Sequence, residues 1–189
     1  LGAEKLQFGL GVDGGATIVT HTISSLRSQH PNRDLVAIDT QNAHNSLHRI
    51  PMLKAVAKHA PAVLGTMIRI YRQNPTFWFA SENSMHTAEG IISKQGVIQG
   101  DAMSSIAYCL ATLPVLEKMN MVEASATIAY SDDMHVVAPT VQAIEVIKTF
   151  DKEGSEIGLT RNRNKLKILL GCKGSPEAAQ AAISEYISA

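Results

Sequence analysis

The sequence predicts an α+β domain, an antiparallel sheet with helices packed on one face, and three observations predict it. Ala126, Ile128 and Tyr130 alternate with Ser125, Thr127 and Ser131, the period of a half-buried strand. A second apolar run, Met134 to Ala138, follows with only an acidic pair between, so the two runs read as a hairpin with Asp132 and Asp133 at its tip. Leu35-Val36-Ala37-Ile38-Asp39 is a short apolar run closing on a carboxylate, which reads as a buried strand with Asp39 where the strand leaves the core. Strands 35–39, 125–130 and 134–138 are expected to share one sheet with the helices on its other face. That arrangement brings Asp39 beside Asp132 and Asp133.

The remaining elements follow in order. Residues 1 to 16 are rich in glycine, and Gly9-Leu10-Gly11-Val12-Asp13-Gly14 has the letters of a dinucleotide-binding fingerprint. That function is not expected, because the motif needs a buried strand before it and Glu4-Lys5-Leu6-Gln7-Phe8 does not read as one. Ala16 to Leu26 reads as a helix with Ile18, Thr22 and Leu26 on one face, ended by His30-Pro31-Asn32. A helix from Ala43 presents Ala43, Leu47 and Ile50, and Pro51 should kink or split it. Pro61 opens the next helix in its first turn, with Leu64, Met67, Ile68 and Tyr71 inward and Asn74-Pro75 as its end. Thr76–Phe79 and Met85–Ile92 read as a strand pair joined by Ser81-Glu82-Asn83-Ser84. Gly96-Val97-Ile98-Gln99-Gly100 leads directly into a helix capped by Asp101, with Ile106, Leu110 and Leu113 inward and a bend or end near Pro114. Pro139-Thr140 starts a helix running to about Glu156, with Ile144, Ile147 and Phe150 buried, broken by Gly158-Leu159. Arg161, Arg163, Lys165 and Lys167 alternate with uncharged residues, which places four cations on one face of an extended segment. Ser175-Pro176 opens a last helix with Ile183 and Ile187 inward.

Composition narrows the functional classes. A chain of 189 residues suits one domain or one large piece of a bigger protein, and its Leu1 start suggests an excised piece. The formal net charge is zero, so no global basic field draws in nucleic acid, and any such contact must use locally segregated charge. Cys109 and Cys172 are too few and too far apart for a disulfide framework or a zinc cluster, which suits an intracellular, reducing compartment, nuclear or cytoplasmic. No signal peptide and no membrane-spanning run is present in the sequence.

Chemistry concentrates in the carboxylates. Adjacent like charges repel, and a cation between them removes that penalty. Carboxylate oxygens are hard ligands suited to Mg²⁺ or Mn²⁺. Three converging carboxylates suit two ions roughly 3.5–4 Å apart, which activate an attacking hydroxyl and steady a leaving pyrophosphate.

Several blocks in order resemble the reverse transcriptases, and among them the non-long-terminal-repeat retrotransposon type. Gln7-Phe8-Gly9 with Gly14-Gly15 looks like the fingers segment before the palm. Ala37-Ile38-Asp39-Thr40-Gln41-Asn42-Ala43-His44-Asn45 looks like motif A, and Gly96-Val97-Ile98-Gln99-Gly100-Asp101 like motif B. Ala129-Tyr130-Ser131-Asp132-Asp133 looks like the Tyr-x-Asp-Asp box of motif C, and Gly158-Leu159-Thr160-Arg161-Asn162-Arg163-Asn164-Lys165 like motif D.

The resemblance implies a polymerase palm with part of the fingers: 1–34 as a partial fingers segment and 35–189 as palm, with 76–100 as a fingers/palm hairpin and loop. It implies RNA-directed DNA synthesis on an RNA template and DNA primer, with deoxynucleoside triphosphates as substrate, within a larger polyprotein. It implies that Asp39 and Asp132 hold two Mg²⁺ or Mn²⁺ ions with support from Asp133, and that Lys165 gives a proton to pyrophosphate. Asn42 and Ala43 would offer amides to the triphosphate, Gln99 and Gly100 would contact nucleotide and template base, and His44 would lie under the sugar. His44 departs from the family, which usually has Phe or Tyr there. Earlier fingers motifs would precede Leu1, and the primer grip is faint in Leu169-Leu170-Gly171. The other class of function is a domain of the same fold that has lost chemistry and serves as an RNA-binding or assembly scaffold.

Overall fold

A computed structural model describes residues 6–77 and 91–172, together with Ala181, Ser184 and Tyr186. Its centre is a four-stranded antiparallel sheet in the order β4-β5-β1-β6. The strands are β1 (Asp34–Ile38), β4 (Ala126–Tyr130), β5 (Asp133–Ala138) and β6 (Lys167–Leu169). β1 pairs with β5 so that Ile38 faces Met134, and β4 pairs with β5 so that Tyr130 faces Asp133. The expected hairpin is therefore present, shifted by one residue. Ser131 and Asp132 make the turn, and Asp133 is already the first residue of β5.

The helices are α1 (Gly15–Gln29), α2 (Ala43–Ser46), α3 (Arg49–His59), α4 (Pro61–Tyr71), α5 (Ser104–Asn120) and α6 (Thr140–Glu156). Two short strands, β2 (Thr76–Phe77) and β3 (Ile91–Ile92), pair antiparallel. The rest of the expected 76–92 strand pair lies outside the described residues. So does most of the last expected helix, of which Ala181, Ser184 and Tyr186 are helical.

α5 is the core helix. It contacts α3, α6 and β4, and Ala107 to Thr112 are buried without a break. A helix apolar all round has no single inward stripe, so the expected Ile106-Leu110-Leu113 face is too narrow, and Ile106 and Leu113 are only partly buried. The helix begins at Ser104, not at Asp101, and it continues through Pro114 to Asn120.

α1 packs on the opposite side of the sheet. Phe8, Val19 and Ile128 form a small second core there with Val12, Ile23 and Leu26 against it. β4 is thus covered on both faces, and Thr127, Ile128 and Ala129 are all buried. The inward stripe of α1 is Val19-Ile23-Leu26, and the expected Ile18 is exposed.

Pro51 acts as expected in splitting the helix after Ala43, but from inside the first turn of α3, where a proline removes no needed donor. Ile50, expected inward, is exposed, while Leu47 is fully buried. In α4 the buried residues are Met67 and Tyr71, and Ile68 is exposed.

Candidate active site

Motif by motif, backbone contacts draw the candidate residues to one end of the sheet. β1 ends at Ile38, and Val36 and Ile38 face the main core, so period-two alternation turns Ala37 and Asp39 to the other face. β5 presents Asp133 and His135 in step, with Ala37 opposite His135. Asp39, Asp133, His135, Lys165 and Lys167 line one cavity of about 350 Å³ on that face.

The segment after α6 is folded back over Asp39. Gly158, at φ +86°, ends α6 where a Cβ would strike Ser46 O at 2.4 Å. Thr160 O then accepts from Gln41 N at 2.8 Å, and Asn162 N donates to Asp39 O at 2.8 Å. Asn162 Oδ1 accepts from Asn164 N at 3.2 Å, an Asx turn that opens a 3₁₀ turn over Arg163–Lys165. Lys165 Nζ thereby reaches Asp39 Oδ2 at 3.2 Å.

This geometry corrects the expectation of four cations on one extended face, because the 3₁₀ turn breaks the alternation. Arg163, Lys165 and Lys167 are exposed, but Arg161 is buried. Its guanidinium donates to both oxygens of Asp151, Nε to Oδ1 at 3.0 Å and Nη2 to Oδ2 at 2.8 Å, and to the Tyr186 hydroxyl at 3.1 Å. Burial pushes the Asp151 carboxyl up, but the Arg161 and Tyr186 hydrogen bonds and the Arg161 charge outweigh it and hold the carboxyl below its ordinary value.

The structure brings Asp39 and Asp133 together, while Asp132 is not among the residues lining their cavity. Asp132 acts electrostatically toward α5. After burial, its charge is the next influence pushing the Cys109 thiol up to about 11. Among the described residues, no three His, Cys, Asp or Glu side chains stand close enough to hold a metal ion together. Asp39 and Asp133 offer carboxylate oxygens open to solvent, the donors a hard divalent cation takes, although Met134 also lines their cavity.

The segments that resemble motifs A and B meet through α2. Asn42 enters that helix at φ +46°. Val97 N donates to His44 O at 2.8 Å and Gly96 N to Leu47 O at 2.9 Å. Gly96 must be glycine here, since a Cβ would lie 2.2 Å from Asn45 O and its φ is +74°. Ala43 is buried, and the His44 ring stacks on Tyr108, with centroids 4.6 Å apart and planes 19° apart. Gln99 and Gly100 are exposed, and Gly100 has open space around it.

Three contributors were not singled out in the sequence. Arg49 donates to Gly96 O at 3.1 Å and Ser93 O at 3.0 Å, tying down the approach to Gln99. The Tyr71 hydroxyl donates to Asp101 and accepts from Ile98 N at 3.4 Å. His135 lines the cavity with its Nδ1 buried and unpartnered among the described residues. Burial pushes its imidazole down, against the upward pull of Asp133. Only His135 was within reach of sequence reasoning, by counting two residues on from Asp133.

No family model and no curated protein matches the chain. Solved structures do. The chain is similar to apo telomerase from Candida tropicalis truncated from its C-terminal domain, with TM-score 0.59 and 14% identity, over 92% of this chain and 38% of that one. It is similar to Candida albicans telomerase in complex with the TWJ fragment of telomeric RNA, with TM-score 0.55 and 13% identity, over 85% and 31%. The chain shares the fold of a part of these telomerases. At such identity the likeness is one of fold, and the chain spans well under half the length of these structures. Among the described residues no helix is long and apolar enough to cross a membrane.

Proposed function

We propose that the chain is the catalytic core of an RNA-directed DNA polymerase, with 1–34 as part of the fingers and 35–189 as the palm. The observation that carries this reading is the shared cavity of Asp39 and Asp133, with Lys165 held against Asp39, beside the Tyr-Ser-Asp-Asp hairpin. The retrotransposon type rests on the order of the sequence motifs, and an RNA partner is supported by the RNA-bound telomerases of like fold.

Asp39, Asp133 and Asp132 would hold Mg²⁺ or Mn²⁺, which supplies activation of the primer hydroxyl and charge stabilisation of pyrophosphate. The chain's own residues do the rest. Lys165 pairs with Asp39 while the site waits for substrate, and would pass a proton from Nζ to an oxygen of departing pyrophosphate. The Gln99-Gly100 loop, fixed through Arg49 and Tyr71, offers an exposed backbone to nucleotide and template base. His44, stacked on Tyr108, forms the floor under the sugar, and the backbone at Asn42 and Ala43 meets the triphosphate.

The scaffold reading draws on one observation, that no three carboxylates of the described residues form a metal cluster. Titrating the chain with Mn²⁺ separates the two. Binding that weakens in Asp39→Asn and in Asp133→Asn supports the polymerase. RNA binding with no Mn²⁺ binding supports the scaffold.

A further inference from the structure

The segment before α1 lies along the edge of β4 as a single parallel bridge, Gln7 to Ala129. Ala129 N donates to Leu6 O and Phe8 N to Ala129 O, each at 2.8 Å. A parallel ladder would continue by pairing Ser131 with the backbone further along. Instead the side chain of Gln7 takes that place. Its Nε2 donates to Ser131 O at 2.9 Å, and its Oε1 accepts from Ser131 N at 2.8 Å and from Gly9 N at 3.0 Å. One carboxamide thus fixes the peptide on each side of Ser131.

Ser131 needs fixing. It is a non-glycine residue at φ +54°, a conformation that is costly unless its surroundings hold it. The next residue is Asp132, whose Cα–Cβ direction is set by the Ser131–Asp132 peptide plane together with its own φ. Gly9 makes the approach possible, since a Cβ there would lie 2.5 Å from Ser131 N. The hairpin itself does not depend on this contact, because Tyr130 and Asp133 already pair across it.

We propose that Gln7 is a positioning residue for Asp132: its carboxamide clasps both peptides of Ser131 and so sets the direction in which the Asp132 carboxylate leaves the hairpin tip. The consequence for metal binding rests on the polymerase reading above, while the clasp itself does not.

The test uses the 189-residue chain with Gln7→Met, which removes all three hydrogen bonds, and Gln7→Glu, which keeps length and acceptor but cannot donate to Ser131 O when ionised. NMR of the metal-free chain reads the Asp132 side-chain rotamer and the exchange of the Ser131 amide. The expected result is rotamer averaging at Asp132 and faster Ser131 exchange in Gln7→Met, a smaller change in Gln7→Glu, and unchanged pairing from Ala126 to Ala138. An Asp132 rotamer and a Ser131 amide identical to wild type in both variants would overturn the proposal. Mn²⁺ titration gives the second readout. Affinity should fall about tenfold or more in Gln7→Met, as for other groups that orient metal ligands, and Gln7→Met should add nothing in an Asp132→Asn background. Equal Mn²⁺ affinity in wild type and Gln7→Met also counts against it. If wild type binds no Mn²⁺, the polymerase reading fails, and the NMR result alone decides the clasp.

Discussion

Lys165 Nζ stands 3.2 Å from Asp39 Oδ2, with both side chains partly open to solvent. An exposed pair of this kind contributes about 0–1 kcal/mol to stability. The turn that delivers Lys165 is nevertheless elaborate, since it uses the Asn162 side chain and a backbone bond to Asp39 itself. The proposed role of Lys165 as proton donor makes its effects on stability and on turnover separable. Lys165→Leu should leave the melting temperature nearly unchanged and slow single-turnover nucleotide addition about a hundredfold, the usual scale for a lost proton donor. A large loss of stability with normal turnover would make Lys165 structural.

The stack of His44 on Tyr108 gives a prediction about sugar selection. Phe at position 44 keeps the stack and presents a larger apolar surface, while Ala removes both. Rejection of ribonucleotides should improve in His44→Phe and worsen in His44→Ala, within the roughly 10–200-fold range of such pocket changes. Incorporation of matched ribo- and deoxyribonucleotides by the three proteins measures it. Equal selectivity would show that the ring serves only Tyr108.

Arg161 and Asp151 supply a pH dependence. The folded Asp151 carboxyl is held below its ordinary value, so the pair's contribution is present above the unfolded carboxyl value of about 3.9. It is lost as pH falls through the lower folded value. Asp151→Asn should therefore be less stable than wild type near neutrality, and the two should converge in strong acid. Urea unfolding across that range checks the sign.

The two cysteines should differ in reactivity. Cys172 is exposed, whereas Cys109 is buried in α5 with its thiol pushed up to about 11. A thiol reagent should modify Cys172 in the native chain and Cys109 only after unfolding.

Much of this architecture is legible locally. Strands β1, β4 and β5, the start of α4 at Pro61 and the end of α6 near Gly158 follow from periodicity and from residues that restrict φ, whereas β6, which pairs with β1, was not expected in the sheet. What eluded sequence reading depends on partners far away in the chain. Thr127 looks like the solvent face of a strand until α1 covers one side of β4 and α5 the other. Arg161 looks like one of four equivalent cations until Asp151 and Tyr186 claim it. Pro114 looks like a helix end, yet α5 is held in place by the elements around it. In the site, Asp39 was readable as a strand-end carboxylate and Lys165 by its spacing from Gly158, while Asp133, read at the hairpin tip, is the first residue of β5. Gln7 was not, because its partner is 124 residues away.

The central claim is that the carboxylates at the sheet end perform nucleotidyl transfer. The most direct measurement is primer extension by a full-length protein containing this chain, comparing wild type with Asp39→Asn, Asp132→Asn and Asp133→Asn. Each variant should stay folded, since Asp132 and Asp133 are exposed and Asp39 loses only a solvent-exposed ion pair with Lys165. Each should lose most extension, with Asp39→Asn and Asp132→Asn the most impaired. Wild-type extension rates in Asp132→Asn would contradict the account.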